Sequence, residues 1–351
     1  MHVIAIIGCG RIANFAHLPA LSKQDDVRIK YACDIILEKA EKAKKDFPKI
    51  ENVIEDYHIA LNDSQVEAVF VLVPNFEHDR ISIDALRAGK HVLCEKPIAV
   101  NYAKAKKMEE EAKKANKILN IGVCNRYSAP VATLAKYNKQ GRFGRVFHVD
   151  CSFSCCRSIP GLGGPFTDSS KSGGGVLIDW GVHFLDLILY VLGGAKIETV
   201  SADTYSELAK DMKSYKYWDM WAKDTSDIEN GVNDVEELIS GYVRTDKASI
   251  SLKGAWAQNV CADDMYIDFH GTKGGARLKY GGQFTFFNGE TLEETPSNIE
   301  IPNMYEVEQR SFFDSIDTGI PDKGYISNVI EVAKLMDELY ASAKIHKELS
   351  I

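Results

Sequence analysis

"HVIAIIGCGRIA", residues 2–13, decides the fold class of this chain. A short β-branched run ends in Gly8-x-Gly10-x-x-Ala13, and residues 12–22 follow with a helical pattern. The spacing predicts a strand, a tight turn and a helix. Gly8 allows the turn, Gly10 lets phosphates approach the backbone, and the small Ala13 lets helix and strand pack closely. Free N–H groups at the helix start then favour an anion. Cys9, Arg11 and Ile12 share this loop. Such glycines serve many strand–turn–helix units, so the second element matters. Asp34 closes the next strand, "VRIKYACD", about 20 residues on, where an acid binds a ribose hydroxyl. Together they predict a dinucleotide site. A carboxylate there repels a 2′-phosphate, and Ile35 and Ile36 offer no cation, which favours NAD over NADP; Arg11 is the one opposing charge. The plainer reading of Asp34 is a helix N-cap, compatible with ribose binding.

Outward from that stretch, the first ~120 residues alternate strand and helix patterns, the mark of a parallel sheet covered on both faces. A charged amphipathic helix spans 35–46. "EAVFVLVPN" is a near-continuous apolar strand, helix 78–88 follows, and then come "HVLCEKP", a helix near 102–115 and "ILNIGV". The fold class expected is α/β: a Rossmann doubly wound parallel sheet over 1–123, then an α/β domain over 124–351 with a large, mostly antiparallel open sheet. The second domain begins with a helix near 131–140 and the strand "GRVFHVDCSFSCC". A Gly/Ser-rich loop, 158–175, precedes a buried helix. Strands are expected at 197–205, 235–244, 247–256, 263–270, 275–280 and 283–287, and helices near 304–317 and 327–346. Helices are expected on one face of this sheet and a second subunit on the other, since a broad apolar face is rarely left to water. Residues 207–233 read as a surface excursion or lid, more as decoration than as part of a site.

Composition narrows the function. The 351 residues are 45% apolar and 26% charged with a net charge of −8, and the lysine clusters alternate with glutamates. Nucleic acid is therefore not an expected partner. The first apolar run is too short and lacks the basic start of a signal peptide, and no apolar run is long and charge-free enough to cross a bilayer. The eight cysteines form no CxxC pair, so reduced thiols in a cytoplasm are expected. Cys151, Cys155 and Cys156 are poorly spaced for zinc, and no metal is expected.

Two further stretches carry chemistry. In "EKP", Glu95 and Lys96 follow a predicted parallel strand, and ligands bind beyond the carboxyl ends of such strands. Pro74, Asn75 and His78 of "VPNFEH" have the same address; Asn75 suits cofactor or substrate, while His78 suits capping or packing at the helix start. "GGGVLIDWGVHFLDL", residues 173–187, is apolar almost all round, as a buried helix is, except for Asp179, His183 and Asp186 at i, i+4 and i+7. Buried charges need partners or a wet cleft. These three form either a satisfied polar cluster in the core or part of a site.

"GCGRIA", "PNFEH", "GKHVLCEKPIA" and "GGGVLIDWGVHFLDL" occur in this order at separations that resemble the Gfo/Idh/MocA family, the glucose–fructose oxidoreductase and inositol dehydrogenase relatives. The resemblance covers essentially the whole chain. It implies a Rossmann domain, an open-sheet second domain, and a homodimer or homotetramer through that sheet. It implies Lys96, Asp179 and His183 as the catalytic group, with Asn125 and Arg126 of "GVCNRY" lining the cofactor and substrate cleft. Trp180 stands where relatives are often smaller, beside the substrate. The function expected is hydride transfer between NAD and a secondary hydroxyl of a sugar, polyol or glycoside. Histidine titrates near neutrality and suits the base; Asp179 orients it, and Lys96 stabilises the developing alkoxide. Either Lys96 or His183 can take the proton, and Asp186 reads as a structural partner. The rivals are a glycoside-processing enzyme that oxidises sugar transiently with held NAD, and a non-catalytic NAD-binding regulator.

Overall fold

The structure is a computed structural model, and it describes residues 1–261 and 264–351. The chain divides into two compact units: residues 1–127 with 302–331, and 128–301 with 332–351.

In the first unit, among the described residues, six strands form one parallel sheet: β1 (His2–Ile7), β2 (Val27–Cys33), β3 (Ile50–Ile54), β4 (Ala68–Val71), β5 (His91–Glu95) and β6 (Leu119–Gly122). Their order is β3-β2-β1-β4-β5-β6, and every neighbouring pair is parallel. The order reverses between β1 and β4, which is where an open α/β sheet forms its ligand crevice. The two middle strands are buried along nearly their whole length, so they read as apolar runs. β3 and the short helix Tyr57–Asn62 went unread because an edge strand of sequence IENVI carries little apolar pattern.

The helix Met304–Thr318 belongs to this unit although 174 residues of the other unit precede it. Phe312 and Phe313 are fully buried in the core formed by Ile4, Ile6, Phe70 and Leu93. The Phe70 ring lies edge-on to Phe312 at 5.8 Å. Arg310 adds a two-pronged bond to Asp26, at 2.7 Å each. Burying two phenylalanines is worth about 1.5–3 kcal/mol each, ample reason for the chain to return.

In the second unit, among the described residues, nine strands form one sheet: β7 (Val146–Ser154), β8 (Ile197–Tyr205), β9 (Leu238–Thr245), β10 (Ser249–Ala255), β11 (Asp264–Gly271), β12 (Gly274–Lys279), β13 (Phe284–Asn288), β14 (Glu293–Pro296) and β15 (Leu349–Ser350). Their order is β14-β13-β12-β11-β7-β10-β9-β8-β15. Only β7 and β10 run parallel. The strand expected over 263–270 appears as β11, and its residue 263 lies outside the described residues. One face is apolar, with Val149, Phe153, Ile250 and Ile267 buried, and Phe153 packs against Phe184 of the helix Val182–Val191 at 5.2 Å. The opposite face is not the apolar surface expected. It carries a His148–Asp150–His270 cluster and the Arg277–Asp268 pair, groups that tolerate water.

The helical run Ser169–Val191 has the length and mean hydropathy (1.4) of a membrane span, but 78% of that window is buried inside the protein. It has the burial of a core helix.

Candidate active site

The cofactor half forms where β1 and β4 end. Gly8 has φ +98°, and a Cβ there would stand 2.4 Å from the Leu72 carbonyl oxygen, so only glycine lets the loop press against the exit of β4. Around Gly10 no atom lies within 4 Å of the place a Cβ would take. Asp34 is held by this loop: the Cys9 N–H donates to its Oδ2 and the Ile36 N–H to its Oδ1, both at 2.9 Å. It is not the N-cap of the following helix Leu37–Asp46; Ile36 takes that place without a side-chain bond. Ile35 and Ile36 are exposed, 88% and 45%, and offer apolar surface beside the carboxylate. Ala13 is fully buried and begins a π-helical turn, Ala13–His17. Burial, helped by Asp34 and Cys33, pushes the Cys9 thiol up to about 12, so it is an inert filler. An open backbone at Gly10, a fixed carboxylate and flanking apolar surface fit a dinucleotide's pyrophosphate, ribose and base.

At the end of β5, Lys96 is partly exposed. Glu95 before it turns inward and is 6% exposed. Its Oε1 lies 2.8 Å from His17 Nε2, and its Oε2 accepts the Lys96 N–H at 3.0 Å. Burial would raise the Glu95 carboxyl, but the bond to His17 and the charges of His17 and Lys96 outweigh it, and its pKa falls below the ordinary value. Glu95 thus fixes the Lys96 backbone rather than reaching a cofactor. His17 was not singled out by the sequence; it is fully buried and lies edge-on to Phe70 and Tyr305.

Pro74 is exposed and Asn75 partly so, at the start of a 3-10 turn, Asn75–Glu77. His78 does not join them as a cofactor contact. It is buried, with Nδ1 2.7 Å from the Pro97 carbonyl and Nε2 2.8 Å from that of Val73, and so ties the β4 exit loop to the β5 exit loop. Asn125 and Arg126 lie in the turn Cys124–Tyr127, both about 5% exposed or less. Arg126 is 4% exposed. Its guanidinium donates to the carbonyls of Lys323 (2.7 Å) and Asn328 (3.0 Å) and braces the chain where it re-enters the first unit.

In the second unit the helix with the polar interruptions is two pieces: a π-helical turn, Leu177–Gly181, and an α-helix, Val182–Val191. Such π-turns within helices recur at functional sites. Asp179, Trp180 and His183 are partly exposed while Asp186 is buried. The polar stripe thus divides: two members reach the surface with Trp180, and the third belongs to the core. Trp256 donates its indole N–H to Asp179 Oδ2 at 3.3 Å. The Tyr280 ring lies 5.9 Å from the His183 ring and 5.8 Å from that of Trp180, and stacks on Phe184 at 4.7 Å. Trp180 Nε1 is buried without a hydrogen-bond partner among the described residues.

The start of this helix is clamped from below. Glu236, buried, accepts from the N–H groups of Gly175 and Leu177 at 2.9 Å each and from the Tyr340 hydroxyl at 2.8 Å. Burial pushes its carboxyl up, with those three donors opposing. A Cβ on Gly175 would meet the Glu236 carbonyl oxygen at 1.9 Å, which accounts for the glycine. Glu237 points the other way and receives the amides of Glu207, Leu208 and Ala209. The excursion begins there, and it is not loose decoration. Its backbone is laced to the 158–167 loop, with Ala222 N–H to Pro160 O (2.8 Å) and Asp227 N–H to Leu162 O (3.1 Å), and just beyond its end Asp234 N–H donates to Thr167 O (3.0 Å). Trp256, Tyr280, Glu236 and Tyr340 carry no local sequence mark, because each reaches the helix across 59 or more positions of chain. Among the described residues, no three His, Cys, Asp or Glu gather as a metal ion requires.

Comparison with known proteins agrees with this layout. Residues 3–123 match the family described as an oxidoreductase family with an NAD-binding Rossmann fold, and residues 131–277 match the GFO/IDH/MocA C-terminal domain. D-glucoside 3-dehydrogenase of Escherichia coli (strain K12) is 28% identical over 348 residues, covering 97% of this chain and 95% of that protein. Myo-inositol 2-dehydrogenase of Thermotoga maritima is 32% identical over 200 residues, covering 57% of each. Among solved structures, levoglucosan dehydrogenase in complex with NADH and levoglucosan superposes with a TM-score of 0.87 at 20% identity, covering 100% of this chain and 99% of that one. The two matched domains together span most of the chain, which therefore belongs to the Gfo/Idh/MocA family of oxidoreductases and begins with an NAD-binding Rossmann domain.

Proposed function

We propose that the protein oxidises a secondary hydroxyl of a sugar, polyol or glycoside with NAD as hydride acceptor. One observation carries the reading: a chain with a dinucleotide cradle at the β1/β4 switch also presents Asp179, Trp180 and His183 together on one partly exposed helix stripe. Relatives of nearly the same length include a glucoside 3-dehydrogenase, which supports a sugar as substrate.

Bound NAD would accept the hydride. The protein's residues then have to remove the hydroxyl proton and steady the oxygen. His183 is the base, since an imidazole exchanges protons near neutral pH. Asp179, one turn away and itself held by Trp256, orients the ring and stabilises its charged form. Lys96, with its backbone fixed by Glu95, supplies the ammonium that stabilises negative charge as it develops on the oxygen. Trp180 and Tyr280 wall the ring of the substrate. Asp34 favours NAD over NADP by opposing a 2′-phosphate. Self-association through the nine-stranded sheet and a cytoplasmic location belong to the same proposal.

The test is a panel of sugars, inositols and glycosides with NAD and with NADP, followed by reduced-cofactor absorbance. On a substrate so found, Lys96→Met and His183→Ala should each lower kcat at least about 100-fold, the general acid–base contribution, with cofactor affinity kept. Full turnover in either variant refutes the assignment of roles. Bond cleavage without net NADH would instead indicate transient oxidation.

A further inference from the structure

Beyond the ends of β7 and β10 the two chains continue side by side as a short ribbon. The Cys155 N–H donates to Ala255 O at 2.7 Å, Ser158 N–H to Trp256 O at 2.8 Å, and Gln258 N–H to Cys156 O at 3.0 Å. Arg157 stitches the ribbon with bonds from its guanidinium to the carbonyls of Cys156 and Gln258 and to Asn259 Oδ1. On this ribbon Cys156 Sγ and Cys261 Sγ lie 2.8 Å apart. The two residues are 105 positions apart in sequence, so the fold alone brings them together. Cys156 is buried at 3% exposure, and Cys261 is exposed. Both line a surface cavity that also holds Arg157, Lys216, Tyr217 and Trp218 of the excursion.

We propose that Cys156 and Cys261 form a dithiol site that reacts with small anionic disulfides of the glutathione class. The accessible Cys261, as thiolate, attacks one sulfur of the disulfide. A mixed disulfide forms at Cys261, and the first low-molecular-weight thiolate leaves. Cys156, already in contact, attacks the Cys261 sulfur as thiolate and expels the second. The two protein sulfurs are oxidised by two electrons, the external disulfide is reduced to two thiols, and those thiols take up the two protons. The arrangement has the marks of a reactive pair: one exposed thiol beside a resolving partner. The S–S bond is about 2.05 Å long, so the sulfurs need to approach by less than about 1 Å. Arg157 and Lys216 on the cavity wall draw an anionic disulfide toward the exposed thiol. The other six cysteines are buried or half-buried and take no part. The bridge would close a loop over the whole excursion and pin the ribbon that carries Trp256 to Asp179.

The experiment uses the full chain, reduced, desalted and incubated with oxidised glutathione. Expected are an intact mass lower by two hydrogens, no retained glutathione, two fewer titratable thiols than the eight of the reduced, unfolded chain, and a proteolytic peptide pair joined through Cys156 and Cys261. The bridged form should melt at least about 5 °C higher, because a loop of this length gains from cross-linking. Cys156→Ser should retain one glutathione on Cys261, because the resolving thiol is gone; Cys261→Ser should retain none. An unchanged mass in the wild type, a stable glutathione adduct on its Cys261, or a bridge between other cysteines overturns the proposal.

Discussion

Glu236→Gln tests the clamp under the helix of Asp179 and His183 with the smallest change available. The carboxylate is buried and receives three donors: the N–H groups of Gly175 and Leu177 at 2.9 Å and the Tyr340 hydroxyl at 2.8 Å. Gln keeps the shape and replaces one acceptor with an NH2 donor. If the amide oxygen stays on Leu177 and Tyr340, the NH2 faces the Gly175 N–H, donor against donor. If the amide turns over, the Leu177 N–H loses its acceptor instead. In either case one buried helix N–H is left unmade. That costs about 1–3 kcal/mol. Glu236→Ala orphans all three donors and opens a cavity, and should exceed about 3 kcal/mol. Urea unfolding at neutral pH, followed by tryptophan fluorescence, measures both. Because Gly175 precedes Asp179 by one turn, the Gln variant should also lose kcat on the substrate identified by the panel, with cofactor binding intact. A Gln variant within about 0.5 kcal/mol of wild type, the range of ordinary surface changes, refutes the clamp.

Three other outcomes follow from the geometry. Glu308 is fully buried with neither carboxyl oxygen hydrogen-bonded among the described residues. Burial first, then repulsion from Glu95 and Asp322, holds its pKa well above the ordinary value. Its folded value exceeds its unfolded one, so its stabilisation is complete at acid pH below the unfolded value and is lost as pH rises toward the folded value. Glu308→Gln should therefore gain on wild type in urea midpoint between about pH 5 and about pH 8; a constant difference refutes it. Gly8→Ala should abolish NAD binding in a fluorescence titration, since its Cβ would meet the Leu72 carbonyl at 2.4 Å with φ at +98°; retained binding would mean the loop relaxes. Asp34→Ser should weaken NAD about 10- to 150-fold, the equivalent of a charged hydrogen bond of about 1.5–3 kcal/mol, and narrow the NAD/NADP ratio of kcat/KM; an unchanged ratio places the ribose elsewhere.

How legible the molecule was depends on the range of the cause. The strand–turn–helix at Gly8 and the carboxylate at Asp34 are local: a positive φ, a close approach and a strand end are written in a few adjacent residues. The same holds for the burial of the 177–191 helix and for strands such as β8, read at their observed bounds. Exposed helix faces and edge strands are written faintly, which is why β3, β14 and β15 escaped. His78 packs at its helix start as its place suggested, but the carbonyls that it and Arg126 bond could not be read from the sequence, because distant parts of the chain bring them there.

Pattern along the chain was enough to establish that a dinucleotide domain comes first, that an open-sheet domain follows, and that Asp179 and His183 share a face. These follow from periodicities and turn requirements acting over a few residues. Tertiary structure alone decided that Asp186 is core while Asp179 and His183 reach the surface, that Glu236 and Tyr340 fix their helix, that Met304–Thr318 returns to the first sheet, and that Cys156 meets Cys261. Each depends on burial or hydrogen bonding between segments far apart in sequence, where partners are chosen by packing and no local pattern records the choice.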